Sequence, residues 1–113
     1  MTSIKEITVT ELNEIINPAN QDNQNVPILV DVRQPGEVSF CSISNSINIP
    51  LDLLSDNLDR LPLDKQLVMI CHHGVRSKQA AILLSHCGFN NVVSLTGGID
   101  SWAQEIDPLM KRY

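Results

Sequence analysis

No apolar run in this chain approaches the roughly 20 residues needed to cross a bilayer, so no membrane partner is expected. Basic residues are also scarce. Eight Lys and Arg face thirteen Asp and Glu, for a formal net charge of −5. Nucleic-acid binders usually carry a basic face, and that class of partner is set aside. Cysteine is sparse and odd in number, at Cys41, Cys71 and Cys87, which argues against a disulfide framework and for free thiols in a reducing compartment. The stretch Met1 to Val9 mixes Lys5 and Glu6 with hydroxyl residues and lacks the apolar region of a signal peptide. A cytoplasmic protein is the default expectation. Internal repeats and low-complexity tracts are missing too. What is present is ordinary: 113 residues, 42% hydrophobic and 19% charged, suited to a single domain over residues 1–113 with one core.

Strand and helix patterns alternate along the chain. Lys5 to Val9 reads as a short strand, and Thr10 to Ile16 as a short helix with Thr10 as its N-cap. Asn17 to Asn25 is polar, holds Pro18 and reads as a surface loop. Ile28 to Val32 is a branched apolar run, hence a buried strand. Gln34-Pro35-Gly36-Glu37 turns the chain into a short helix over Glu37 to Phe40, and Ser46 to Pro50 suggests a short strand. Leu51, Leu54, Leu58 and Leu61 have the spacing of a helix or two helical turns, stopped by Pro62. Leu67 to Ile70 is a second buried strand, Ser77 to Cys87 a helix ending at Gly88, and Asn91 to Leu95 a further strand. Gly97-Gly98 opens a last helix through Trp102 and Ala103. Short, continuous apolar strands alternating with helices indicate an α/β fold with a parallel sheet. Sites in such sheets lie at the carboxyl ends of strands.

Cys71 lies at such an end. The segment Cys71-His72-His73-Gly74-Val75-Arg76-Ser77 joins a strand to a helix through a short turn. A thiol placed there faces free backbone N–H groups and the positive end of a helix dipole. Both favour the thiolate, which is the nucleophile. Gly74 allows the backbone to curl close, with positive φ if the turn demands it. The N–H groups of His72 to Ser77 are candidates for an anion nest, and Arg76 adds a planar, fixed charge. The dipole alone is worth only ~0.3–1 kcal/mol. The donated hydrogen bonds must therefore do most of the work. Metal binding is not expected: adjacent His72 and His73 on a tight loop rarely aim at one ion, and no spaced partner completes a set. The two imidazoles read better as shaping the pocket mouth and favouring an anion when protonated.

Three separated motifs resemble those of the single-domain rhodaneses, the sulfurtransferase family. The first is Asp31-Val32-Arg33-Gln34-Pro35-Gly36-Glu37, continuing to Ile47-Asn48-Ile49-Pro50. The cysteine loop is the second, and Leu95-Thr96-Gly97-Gly98-Ile99-Asp100-Ser101-Trp102 is the third. They occur in the family's order. The resemblance implies a rhodanese-like five-stranded parallel sheet with helices on both faces. It implies that Cys71 takes a sulfane sulfur from a small anionic donor such as thiosulfate and passes it, as a persulfide, to cyanide or a thiol. His72, His73, Gly74, Val75, Arg76 and Ser77 would bind the substrate, and no cofactor is implied. Ping-pong kinetics would follow. A carrier that delivers the sulfur to a protein acceptor is the alternative. Cysteine phosphatase or arsenate chemistry is a more distant one, because four residues separate Cys71 from Arg76, one fewer than in the phosphatases that share this fold.

Asp31, Arg33 and Glu37 read as support: Asp31 bonding loop amides or Arg33, and Arg33 pairing with Glu37 to fix the turn. Cys41 and Cys87 read as packing residues, Cys87 on the apolar stripe of its helix, and Trp102 reads as core. Gly97-Gly98 reads as a tight turn that also lets the backbone approach the cysteine loop. The segment Cys41-Ser42-Ile43-Ser44-Asn45-Ser46 departs from the family, which usually has Gly-His-Ile and then Gly-Ala there. Ser42 stands for the histidine and Asn45 for the glycine. Asn tolerates left-handed backbone, so the turn survives.

Overall fold

A computed structural model describes residues 4–17, 19 and 26–113. The loop expected from Asn17 to Asn25 lies mostly outside the described residues. Five strands form one parallel sheet: β1 (Lys5–Ile7), β2 (Ile28–Asp31), β3 (Ile47–Asn48), β4 (Leu67–Ile70) and β5 (Val92–Leu95), in the order β1-β5-β4-β2-β3. Among the described residues three α-helices connect strands, α1 (Val9–Ile16), α2 (Pro35–Phe40) and α3 (Val75–His86), and a fourth, α4 (Gly98–Glu105), follows β5. The leucine-rich stretch after β3 forms two 3₁₀ turns, Leu51–Asp56 and Leu58–Arg60.

β4 is central, with β2 and β5 on either side. Its residues are fully enclosed, which is why the run carries no polar alternation. Successive side chains point to opposite faces. Leu67, Met69 and Cys71 thus join Ala80, Ala81 and Leu84 of α3 in one core. Val68 and Ile70 join Leu12 of α1 and Ile99 and Trp102 of α4 in the other. Burying each such large aliphatic side chain contributes about 1.5–3 kcal/mol.

Several element ends differ from expectation. Helix α1 is capped by Thr8, not Thr10. The Thr8 hydroxyl accepts from the Glu11 N–H at 3.1 Å, and the Glu11 carboxylate accepts from the Thr8 N–H at 3.0 Å. This reciprocal pair draws Val9 into the helix and ends the strand at Ile7. Helix α3 begins at Val75, because Gly74 takes φ 110° immediately before it. Cys87 falls at the C-cap with φ −99° and ψ 12°, off the helical stripe, and is exposed rather than packed. Trp102 is buried, as expected. Asn45, with φ 68°, is the sole described non-glycine residue in the left-handed region. It occupies the turn where a glycine would ordinarily be required.

Candidate active site

Parallel strands bring the carboxyl ends of β2, β4 and β5 to one edge of the sheet, and three sequence segments meet there. Cys71 follows β4 directly and is 1% exposed. Its sulfur accepts a hydrogen bond from the Gly74 N–H at 2.9 Å. That bond closes a tight loop that Gly74 permits by its positive φ. The thiol lies 3.4 Å from the Ser77 hydroxyl, which in turn lies 2.7 Å from the Ser94 hydroxyl on β5. Both serines are fully buried. The sulfur therefore has one main-chain N–H and a pair of linked hydroxyls around it.

The start of α4 holds the other side of this loop. The Ile99 N–H donates to the Cys71 carbonyl at 2.8 Å, and the Asp100 N–H to the His72 carbonyl at 3.1 Å. First-turn amides that have no partner inside their own helix are satisfied in this way. The approach depends on Gly98. A β-carbon there would strike the Cys71 carbonyl oxygen and come within 2.6 Å of that of His72. The close approach anticipated for Gly97-Gly98 is thus present.

Of the two charge pairings expected, Asp31 with Arg33 is present and Arg33 with Glu37 is not. Arg33 does not pair with the Glu37 carboxylate. It faces Asp31, with Nε 2.9 Å from Oδ1 and a terminal nitrogen 2.7 Å from Oδ2, and both residues are buried. Its other N–H groups donate to the carbonyls of Glu37 at 3.3 Å and Cys41 at 2.6 Å and to the Tyr113 hydroxyl at 3.0 Å. A buried guanidinium needs all of its donors used, and these acceptors do so. The Glu37 carboxylate is left to Arg76, which grips it with two bonds of 2.7 and 2.8 Å. That grip, aided by the Gln34 N–H and the Tyr113 hydroxyl against a smaller opposing effect of burial, draws the Glu37 carboxyl down to about 2. The same pairing raises Arg76 above its usual value. Arg76 thus ties the cysteine loop to α2.

His72 and His73 flank the site and do not share one environment. The His72 ring stacks on Tyr113, with centroids 3.9 Å apart and planes at 7°. Its Nε2 lies 2.8 Å from the Tyr113 main-chain oxygen. A carbonyl-type oxygen only accepts, so Nε2 carries the hydrogen. His73 is open to solvent, 3.9 Å from the Asp100 carboxylate. Val75, on the first turn of α3, is 68% exposed. Among the described residues, no three His, Cys, Asp or Glu side chains gather as a metal site would require, and no helix is long and apolar enough to cross a membrane.

Two residues of this region have no counterpart in the sequence reading. Ser94 carries a faint signal, a polar residue inside the apolar strand Val92-Val93-Ser94-Leu95. Tyr113 carries none, because its contacts are all distant in sequence.

Comparison with known proteins gives a consistent set. The profile of the Rhodanese-like domain matches residues 8–105. The adenylyltransferase and sulfurtransferase uba4 of Ogataea parapolymorpha is 36% identical over 110 residues, covering 96% of this chain but 28% of its own length. The chain thus spans under a third of that relative. The thiosulfate sulfurtransferase GlpE of Pseudomonas syringae is 37% identical over 75 residues, 66% of this chain and 71% of that protein. The crystal structure of a rhodanese-related protein from Thermoplasma volcanium superposes with a TM-score of 0.77 at 39% identity, covering 90% of this chain and 93% of that one.

Proposed function

The chain belongs to the rhodanese-like domain family, a family of sulfurtransferases, and from that premise we propose that it transfers a sulfane sulfur from a small anionic donor such as thiosulfate through a persulfide on Cys71. The observation that carries this reading is the Gly74 N–H donated at 2.9 Å to a sulfur at the carboxyl end of the central strand. A hydrogen bond of that kind favours negative charge on sulfur, both in the attacking thiolate and in the persulfide formed from it.

The steps balance without an oxidant. The Cys71 thiolate attacks the outer sulfur of thiosulfate. A new S–S bond forms, the old S–S bond breaks, and sulfite leaves with the bonding pair. The cysteine now holds a persulfide anion. Cyanide then attacks the terminal sulfur, forming a C–S bond, and the Cys71 thiolate is expelled. Ser77, backed by Ser94, is placed to donate to the anion at either stage. Arg76 keeps two nitrogens on Glu37, so its part is charge directed at the donor more than a free fork. Asp31, Arg33 and Glu37 support the loop.

Intact mass after incubation with thiosulfate tests the reading. The wild-type chain gains the mass of one sulfur atom and loses it on addition of cyanide. Cys71→Ser gains nothing and loses transfer, while Cys41→Ser and Cys87→Ser keep both. A wild-type chain that never becomes heavier overturns the proposal. A second reading, a carrier for a protein thiol, is favoured by the relative whose name couples sulfurtransferase with adenylyltransferase in one chain and by exposed Val75 at the loop. Release of the added sulfur to a protein thiol but not to cyanide would select it.

A further inference from the structure

Arg112 and Tyr113 pass the start of the cysteine loop beside His72. Arg112 is pinned to Asp100 on α4 by two bonds, of 2.9 and 3.2 Å. Tyr113 then lays its ring flat on His72, the residue next to the nucleophile. Its hydroxyl donates to Glu37 on α2 at 2.8 Å and accepts from Arg33 at 3.0 Å. Phe40 meets the ring edge-on, with centroids 5.7 Å apart. The tail thus runs from α4 to α2 past the start of the cysteine loop, tied on both sides. Tyr113 lies beyond the matched span of residues 8–105.

We propose that Tyr113 is a specificity-determining residue whose ring walls one flank of the Cys71 mouth and favours compact sulfur acceptors over bulky thiols. Cys71 is 1% exposed, so an acceptor must enter past the side chains around the mouth. The ring covers the flank over His72, held by that stack, by Phe40 and by its two hydroxyl bonds, and is itself 45% exposed. It narrows the entrance without sealing it. A linear two-atom nucleophile passes; a tripeptide thiol must displace the ring. The acceptor thiolate attacks the terminal persulfide sulfur, a new S–S bond forms, and the Cys71 thiolate leaves, so size is what separates this step from the cyanide reaction.

The inference rests on the sulfurtransferase reading, and two measurements on the full chain keep them apart. The first compares kcat/KM for glutathione with that for cyanide. In Tyr113→Ala this ratio rises about tenfold, the low end of what single pocket contacts command; in Tyr113→Phe, which retains the ring on His72, it rises less. The second compares alkylation of Cys71 by a bulky maleimide and by iodoacetamide, which involves no sulfur transfer. The maleimide-to-iodoacetamide rate ratio rises by a similar factor in Tyr113→Ala. Ratios that stay at the wild-type values while persulfide still forms overturn the wall. An alkylation ratio that rises in a chain that forms no persulfide upholds the wall and removes the sulfurtransferase reading.

Discussion

Ser94 makes the case for single residues. It is a fully buried hydroxyl on a strand between the two sheet neighbours that enclose it, and it bonds Ser77, 2.7 Å away. Replacing it by alanine leaves the Ser77 hydroxyl with Cys71 alone at 3.4 Å. Losing one partner of a buried hydrogen bond costs about 1 kcal/mol. The expected result for Ser94→Ala is a melting midpoint lower by about 4 °C, together with a several-fold slower gain of sulfur mass by Cys71. Calorimetry and time-resolved mass measurement check the two parts separately. A midpoint that falls while the loading rate holds would show that the serine pair acts on stability alone. The site was only partly legible at this scale. The cysteine, the glycine that curls the loop and the arginine announce themselves by order and spacing. Which carboxylate meets which arginine does not, because Asp31, Arg33, Glu37 and Arg76 offer two pairings that composition cannot separate. Burial decides it: the enclosed guanidinium takes the enclosed carboxylate, and the more exposed pair forms at the rim.

At the scale of elements, the contact between α4 and the cysteine loop is the most demanding feature. Two amides of the helix reach two carbonyls of the loop, and Gly98 at φ 60° is where the two backbones come closest. Gly98→Ala puts a methyl group against backbone, which cannot rotate away. The expected cost is about 2–3 kcal/mol from overpacking and left-handed strain, read as a lower denaturant midpoint. Transfer activity should fall more than stability predicts, since the displaced atoms belong to Cys71 and His72. Activity retained in full would mean that the helix start does not set the loop. The elements themselves were readable from apolar runs, and the leucine spacing correctly allowed two helical turns. The errors fall at ends. Thr8 and Glu11 form a capping box three residues apart, a pattern the sequence carries beside the competing Thr10, and Cys87 leaves the helical stripe because of its C-cap conformation.

For the whole molecule, acid stability follows from the rim pair. Glu37 has its carboxyl lowered from the usual 4.5 to about 2 by Arg76, and Asp100 is shifted the same way by Arg112. A depressed carboxylate contributes stability that is complete above its unfolded value and is lost as pH falls through the folded one. The window for Glu37 is therefore roughly pH 5 down to pH 2. In urea titrations, wild type should lose stability through this window more steeply than Glu37→Gln. The gap between the two should be widest near neutrality and shrink toward pH 2. Parallel curves would show that the pair contributes nothing measurable, as exposed pairs often do. The sheet, its strand direction and the edge that carries Cys71 were legible because they follow from short buried runs. The tail was not, since a single tyrosine joining α2, His72 and Arg33 leaves no local pattern.

A thiol recessed as far as Cys71 has one more consequence. A covalent bridge needs the β-carbons of two cysteines within about 3.5–4.5 Å, and the floor of one such recess cannot meet the floor of another. In aerated solution, cross-linked pairs of this protein would join through the outward-facing Cys87, leaving the Cys71 sulfur of each copy free to be counted.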